Sequence, residues 1–216
     1  MIKNILFDLD GTLTDPEEGI TNSVAYALSK YGITVEQKKD LDVFIGPPLA
    51  DSFMKYYGFD YDKSIAAIAF YREYFKKNGI FENIIFDGVS KMLYDLKKEG
   101  KNLILATSKP EAFAVKIIEH FNLTEYFCFI CGSLLNNTRT DKHEVIEHAL
   151  ISCGIQNKEE CIMVGDRKHD IIGAKKSGIK SIGVTYGYGT REELEMAGAN
   201  FIIETVGELA DFLLRI

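Results

Sequence analysis

Two hydrophobic rhythms divide the chain. Residues 2–8, IKNILFD, form an apolar run that stops at a turn signal, the pattern of a strand buried on both faces. From about residue 16 to 79 only helical spacing occurs. Pro16 follows Asp15, which predicts Asp15 as N-cap and Pro16 as the first helical residue. In EEGITNSVAYALSKYG the apolar Ile20, Val24, Ala27, Leu28 and Tyr31 recur on one helical face, and Gly32 stops the pattern. Three more helical pieces follow: EQKKDLDVFIG, then LADSFMKYYG after Pro47-Pro48, then DKSIAAIAFYREYFKKNG.

From about residue 84 helices and strands alternate. VSKMLYDLKKEG, PEAFAVKIIEHF, DKHEVIEHALISCG, HDIIGAKKSG, REELEMAG and VGELADFLLRI have helical spacing. Between them lie the strand-like runs KNLILATS, YFCFICG, CIMVGD, IKSIGVTY and NFIIET. This alternation predicts an α/β fold of parallel βαβ units covered on both faces. The first strand belongs with the later ones. The all-helical block is therefore an insertion, with residues 1–14 and 85–216 expected as the core domain and 15–84 as a second domain.

Ligands of such sheets bind at the carboxyl ends of the strands. The first strand ends in Asp8-Leu9-Asp10-Gly11-Thr12, another in Thr107-Ser108-Lys109, and a later one in Gly165-Asp166, with Asp170 one helical turn on. Lys142 opens the helix before it. Three acids converging on one rim repel each other and call for a cation, and an all-oxygen set suits Mg²⁺ with substrate phosphate oxygens. The hydroxyls of Thr107 and Ser108 and the Lys142 ammonium suit a phosphate dianion. Asp8 is then the nucleophile of an aspartyl-phosphate route. Asp10, one strand period on, protonates the leaving oxygen and later deprotonates water. Gly11 lets the backbone turn close to the phosphate.

Composition narrows the partners. The net charge of −7 and pI near 5.2 argue against a nucleic-acid polymer, which needs a basic face, but allow one small phosphorylated metabolite. No apolar run approaches the roughly 18 residues of a membrane span, and the start of the chain lacks the apolar core of a signal peptide. A cytoplasmic protein is expected, monomeric or a small homo-oligomer. Cys128 and Cys131 form a C-x-x-C on a strand, where positions three apart face opposite ways and cannot share an ion. They and Cys153 and Cys161 are expected as free thiols in a reducing compartment.

The four motifs, DLDGTLTD at 8–15, ATS at 106–108, Lys142 and GDRKHD at 165–170, resemble in order those of the haloacid dehalogenase-like hydrolases. The resemblance spans essentially the whole chain. It implies a Rossmann-like three-layer core and makes the insertion a helical cap. It also implies a phosphatase using Mg²⁺, held by Asp8, the Asp10 carbonyl and Asp166, with Asp170 ligating or supporting, and Lys142 bridging Asp8 and the phosphate. Dehalogenase members lack the second acid, so Asp10 favours phosphate chemistry. Sugar-phosphate mutases, other phosphotransferases and an idle binding protein share the layout. Phosphonatases need a cap lysine, for which Lys38, Lys39 and Lys55 are the candidates. Among phosphatases the chain is most similar to the phosphoglycolate phosphatase and 5′-nucleotidase-like group, through FIGPPL at 44–49, GDRKHD and GVTYGYGT.

Other residues carry two readings. Thr107 and Ser108 also suit a helix N-cap before Pro110. Lys109, Arg139 and Arg167 are either solvated charges or substrate contacts. His143, His148 and His169 are expected on helix surfaces, and the aromatic stripe AFYREYF inside its own domain.

Overall fold

The computed structural model describes residues 1–136 and 138–216. It divides into two compact units, Pro16–Ile84 and a second made of Met1–Asp15 with Ile85–Ile216.

The unit Pro16–Ile84 is helical. Helices α1 (Glu17–Ser29), α2 (Leu49–Tyr57) and α3 (Tyr61–Tyr74) are joined by a 3₁₀ segment, Lys38–Phe44, and α3 runs into a π turn, Phe75–Gly79. The second predicted helical piece is thus 3₁₀ rather than α. The cap of α1 also differs from expectation. Pro16 is the N-cap, the helix starts at Glu17, and no side chain caps it. Asp15 is instead drawn away, because its carboxylate accepts the Tyr188 hydroxyl. At the far end of α2, Gly58 takes the left-handed conformation that a C-cap requires. Aromatic rings fill the interior. Phe44 and Phe53 meet edge to face with centroids 5.0 Å apart, and Tyr71 stacks on Phe75 at 5.4 Å. Lys38, Lys39 and Lys55 are exposed.

The other unit holds a six-stranded parallel sheet. Its strands are β1 (Asn4–Phe7), β2 (Asn102–Pro110), β3 (Phe127–Ser133), β4 (Cys161–Gly165), β5 (Lys180–Val184) and β6 (Phe201–Ile203), in the order β3-β2-β1-β4-β5-β6. Helices α4 (Val89–Lys98), α5 (Glu111–His120), α6 (Lys142–Ser152), α7 (Lys168–Lys176), α8 (Arg191–Ala197) and α9 (Val206–Arg215) make the crossovers and the C-terminal end. Because both faces are covered, the strands read as continuous apolar runs. On one face Leu6, Ile104 and Met163 pack with Val145, Ile146 and Ala149 of α6 and Ala174 of α7. Between them in sequence Ile5, Phe7, Leu103, Leu105 and Ile162 are equally buried. Helices α4 and α9 pack on each other through apolar faces. No helix among the described residues is long and apolar enough to cross a membrane.

Strand order reverses at β1 and β4. Such a switch point opens a crevice at the carboxyl ends of the strands. Asp8 follows β1 and Asp166 follows β4, one on each side of it.

Candidate active site

Parallel pairing fixes where the acids go. The Asp8 amide donates to the Val164 carbonyl at 2.9 Å, continuing the β1–β4 ladder one residue past the strand. The chain then turns at once. The Leu13 and Thr14 amides both return to the Leu9 carbonyl, and Gly11, at φ +81°, donates to the Thr14 carbonyl at 2.7 Å. The Gly11 amide is thereby used inside the turn, so its contribution is conformation rather than a hydrogen bond. A β-carbon here would lie 2.2 Å from Asp166 Oδ2. Only glycine lets the turn pass this close to that acid.

Asp8, Asp166 and Asp170 converge, each offering a carboxylate oxygen within 4.8 Å of the others, and all three are buried. Lys142, the first residue of α6, reaches into them. Its Nζ lies 2.7 Å from Asp8 Oδ1, 2.8 Å from Asp170 Oδ1 and 3.1 Å from the Ala106 carbonyl. Asp170 Oδ2 accepts the Arg167 amide at 3.1 Å, capping α7. Asp166 Oδ2 accepts the Tyr188 amide at 2.8 Å, and Thr12 Oγ1 lies 3.5 Å from its Oδ1.

The electrostatics are those of an excess of negative charge. Burial, then the charges of Asp170 and Asp8, pushes the Asp166 carboxyl well above the usual range. Burial raises Asp170 to about 6, with Lys142 pulling down and Asp8 adding to the rise. For Lys142 burial works downward, but Asp170 and Asp8 outweigh it and hold the ammonium firmly protonated. One ammonium thus serves three converging carboxylates. An oxygen-only donor set with unbalanced negative charge fits a hard divalent cation, so the residues present suit a metal.

Asp10 is held differently. Lys109 Nζ contacts both of its oxygens, at 2.8 Å to Oδ1 and 2.6 Å to Oδ2. Burial raises the Asp10 carboxyl, Lys109 opposes this, and Asp8 adds to it. Lys109 belongs to β2, which runs on to Pro110 rather than ending at Ser108. Helix α5 is capped by Pro110 without a side-chain bond, so Thr107 and Ser108 are not its N-cap. Thr107, almost fully buried, accepts the Lys109 amide at its Oγ1, 3.2 Å away. The Ser108 carbonyl accepts the Ser133 hydroxyl at 2.7 Å.

The structure therefore gathers Asp8, Lys142, Asp166 and Asp170 into one cluster and sets Asp10 beside it on Lys109. Arg139 donates to the Gly132 carbonyl and to Glu111, and Arg167 pairs with Glu193 at 3.0 Å. His148 is exposed, His143 Nδ1 meets Ser177 Oγ at 2.8 Å, and burial lowers the pKa of half-buried His169. Cys128 is exposed and Cys131 buried, on opposite faces of β3.

The sequence marked the segment after β5, within GVTYGYGT, only as a likeness to one branch of the family, and its place against the acids was missed. A β-carbon at Gly187 would lie 2.2 Å from the Gly11 carbonyl and 2.6 Å from Asp166 Oδ2, and Tyr186 donates to the Thr12 carbonyl at 2.9 Å. The alternating glycine and tyrosine of GYG at 187–189 is the local signal: small residues where backbone must press on an acid.

The chain matches the haloacid dehalogenase-like hydrolases over residues 5–184. A 5′-nucleotidase of Pseudomonas aeruginosa is 50% identical over 191 residues, covering 88% of this chain and 86% of that protein. The tyrosine-protein kinase PtkA of Mycobacterium tuberculosis is 34% identical over 211 residues, 97% of this chain and 72% of its own length. Among solved structures, a predicted phosphatase from Clostridium acetobutylicum aligns with a TM-score of 0.97 and 49% identity, over 100% of both chains.

Proposed function

This chain belongs to the haloacid dehalogenase-like hydrolases and is a phosphatase of that family, and we propose that it hydrolyses small phosphate monoesters through an aspartyl-phosphate on Asp8. The observation that carries this is the single ammonium of Lys142 bridging Asp8 and Asp170 inside a buried acid cluster, with Asp10 held apart.

Asp8 attacks phosphorus as its bond to the leaving oxygen breaks, and Asp10 gives that oxygen a proton. Water then attacks the same phosphorus, Asp10 takes its proton, and Asp8 is released with inorganic phosphate. Lys142 orients Asp8 and offsets the charge of the dianion. Thr107 and Ser108 lie in the carboxyl-terminal part of β2, beside β1, where their hydroxyls serve phosphate oxygens, and Gly11 shapes the turn that receives them. Asp8, Asp166, Asp170 and the Asp10 carbonyl would hold Mg²⁺, which supplies charge neutralisation for the phosphoryl oxygens. The helical unit Pro16–Ile84 is the cap that selects the leaving group, and FIGPPL belongs to that selection.

Nucleoside 5′-monophosphates are the first substrates in this reading, ahead of 2-phosphoglycolate, supported by the 50% identity to a relative named 5′-nucleotidase. The enzyme acts in the cytoplasm, where its four cysteines stay reduced. The test is phosphate release with Mg²⁺ from nucleoside 5′-monophosphates, 2-phosphoglycolate and sugar phosphates, with Asp8→Asn as control. Release that requires Mg²⁺ and is abolished in a folded Asp8→Asn protein is the expected result. Undiminished turnover by Asp8→Asn sinks the nucleophile. Substrate consumed without phosphate release points to phosphoryl transfer or a mutase, and silence from every substrate to an idle fold.

A further inference from the structure

A second lysine, distinct from the one that serves the acid cluster, is built into this site. Lys142 takes Asp8 and Asp170, whereas Lys109 takes Asp10. Its side chain is 5% exposed and its Nζ contacts both Asp10 oxygens. Two contacts from one buried ammonium fix the plane of a carboxylate as well as its position.

The backbone is shaped to deliver this contact. The β2–β3 register shifts between Ala106 and Pro110, an irregularity of the kind that re-aims side chains beside active sites. Three features pin the irregular stretch. The Lys109 amide donates to Thr107 Oγ1, and the Ser133 hydroxyl donates to the Ser108 carbonyl. Gly132 is the third: a β-carbon there would lie 2.5 Å from the Lys109 carbonyl and 2.7 Å from the Glu111 backbone.

The need for such a hold follows from the neighbours. Asp10 is two residues from Asp8, yet the mutually close carboxylates are Asp8, Asp166 and Asp170, without it. A carboxylate this near a site built for a dication would rotate toward the cation if nothing held it. It would then be lost to proton transfer.

We infer that Lys109 is a positioning residue: it pins the Asp10 carboxylate in one orientation beside the acid cluster, so that one acid is reserved for the leaving group and the other three for nucleophile and metal. This rests on the aspartyl-phosphate reading above and assigns a residue that reading leaves without a role.

The test varies how much the leaving group needs a proton. An alkyl phosphate such as a nucleoside 5′-monophosphate leaves as an alkoxide and requires one. A 4-nitrophenyl phosphate leaves as a stable phenolate and does not. The value of kcat/KM covers the steps up to departure of the leaving group. A positioned general acid is worth about 10²- to 10⁴-fold. Lys109→Met, similar in length and uncharged, is therefore expected to lower the alkyl-to-aryl ratio of kcat/KM by at least about tenfold. Lys109→Arg should recover part of that ratio. The wild-type thermal transition and circular dichroism must be retained; should Lys109→Met be unstable, Lys109→Gln is read by the same ratio. Equal losses on both substrates would mean that Lys109 binds the phosphate or merely supports the fold, and an unchanged ratio would mean that Asp10 holds its place unaided. Either overturns the inference. A wild-type protein silent on both substrates would refute the phosphatase reading itself, a different outcome.

Discussion

Replacing Asp166 by Asn should strengthen the metal-free protein and weaken the Mg²⁺-bound one. Asp166 is fully buried and its carboxylate has an oxygen within 4.8 Å of oxygens of both Asp8 and Asp170. At an effective dielectric of about 20, one such like-charge pair costs about 3 kcal/mol. Lys142 offsets part of the field and part is escaped by proton uptake, which leaves a net strain of about 2 kcal/mol at neutral pH. Asparagine has the same shape, and its amide oxygen keeps the Tyr188 N–H bond that Asp166 Oδ2 now accepts. Without metal, the transition should therefore rise by about 4–8 °C, at roughly 2–4 °C per kcal/mol for a chain of this size. With Mg²⁺ at about 100 times its Kd, the wild type gains about 2.7 kcal/mol that the variant largely forgoes. The two melting curves, recorded with EDTA and with Mg²⁺, should change order. A variant less stable than wild type in EDTA, or one that keeps the full Mg²⁺ shift, refutes the idea that these acids are held in mutual repulsion for a cation.

Two further outcomes follow from the same cluster. A carboxyl raised in the folded state binds its proton more tightly than in the unfolded chain, so stability falls as pH rises between the two values. With Asp170 at about 6 against an ordinary 3.8, metal-free protein should lose about 3 kcal/mol between roughly pH 4 and 6, and Mg²⁺ should flatten the slope; urea titrations across that range measure it, and a flat metal-free profile contradicts it. Gly11→Ala forces a side chain into φ +81° and a β-carbon to within 2.2 Å of Asp166 Oδ2. It should cost about 1–3 kcal/mol of stability and weaken Mg²⁺ binding by calorimetry, and unchanged affinity would mean that Asp166 does not ligate.

Much of this protein is written in its periodicity. Continuous apolar runs such as ILF and LILA, short and bounded by turn signals, fit strands buried on both faces, and their alternation with amphipathic helices points to a parallel sheet. Acids at strand ends then announce a rim of charge, since a carboxylate directly after a buried strand has nowhere else to go. Local signals did less well where tertiary partners compete for the same atoms. Asp15 looks like an N-cap, but the Tyr188 hydroxyl, 173 residues away, takes its carboxylate and Pro16 caps the helix bare. Thr107 and Ser108 look like a cap before proline, but strand pairing with Ser133 carries β2 on to Pro110.

The sequence by itself determined the fold class, the separation of a helical stretch from an α/β stretch, and which acids stand just past strand ends, because strand ends and turn residues are local properties. Only the tertiary structure put Lys109 on Asp10 and joined Asp170 to the Lys142–Asp8 pair. Lys109 reads in the chain as either a solvated charge or a substrate contact, and Lys142 is matched to Asp8 through the family resemblance alone. Their assignment to Asp10 and to the Asp8–Asp170 pair depends on strand order and on a register shift in β2, quantities set by packing between segments about a hundred residues apart. The same holds for the GYG segment at 187–189, whose closeness to Asp166 exists only once β4 and β5 lie side by side.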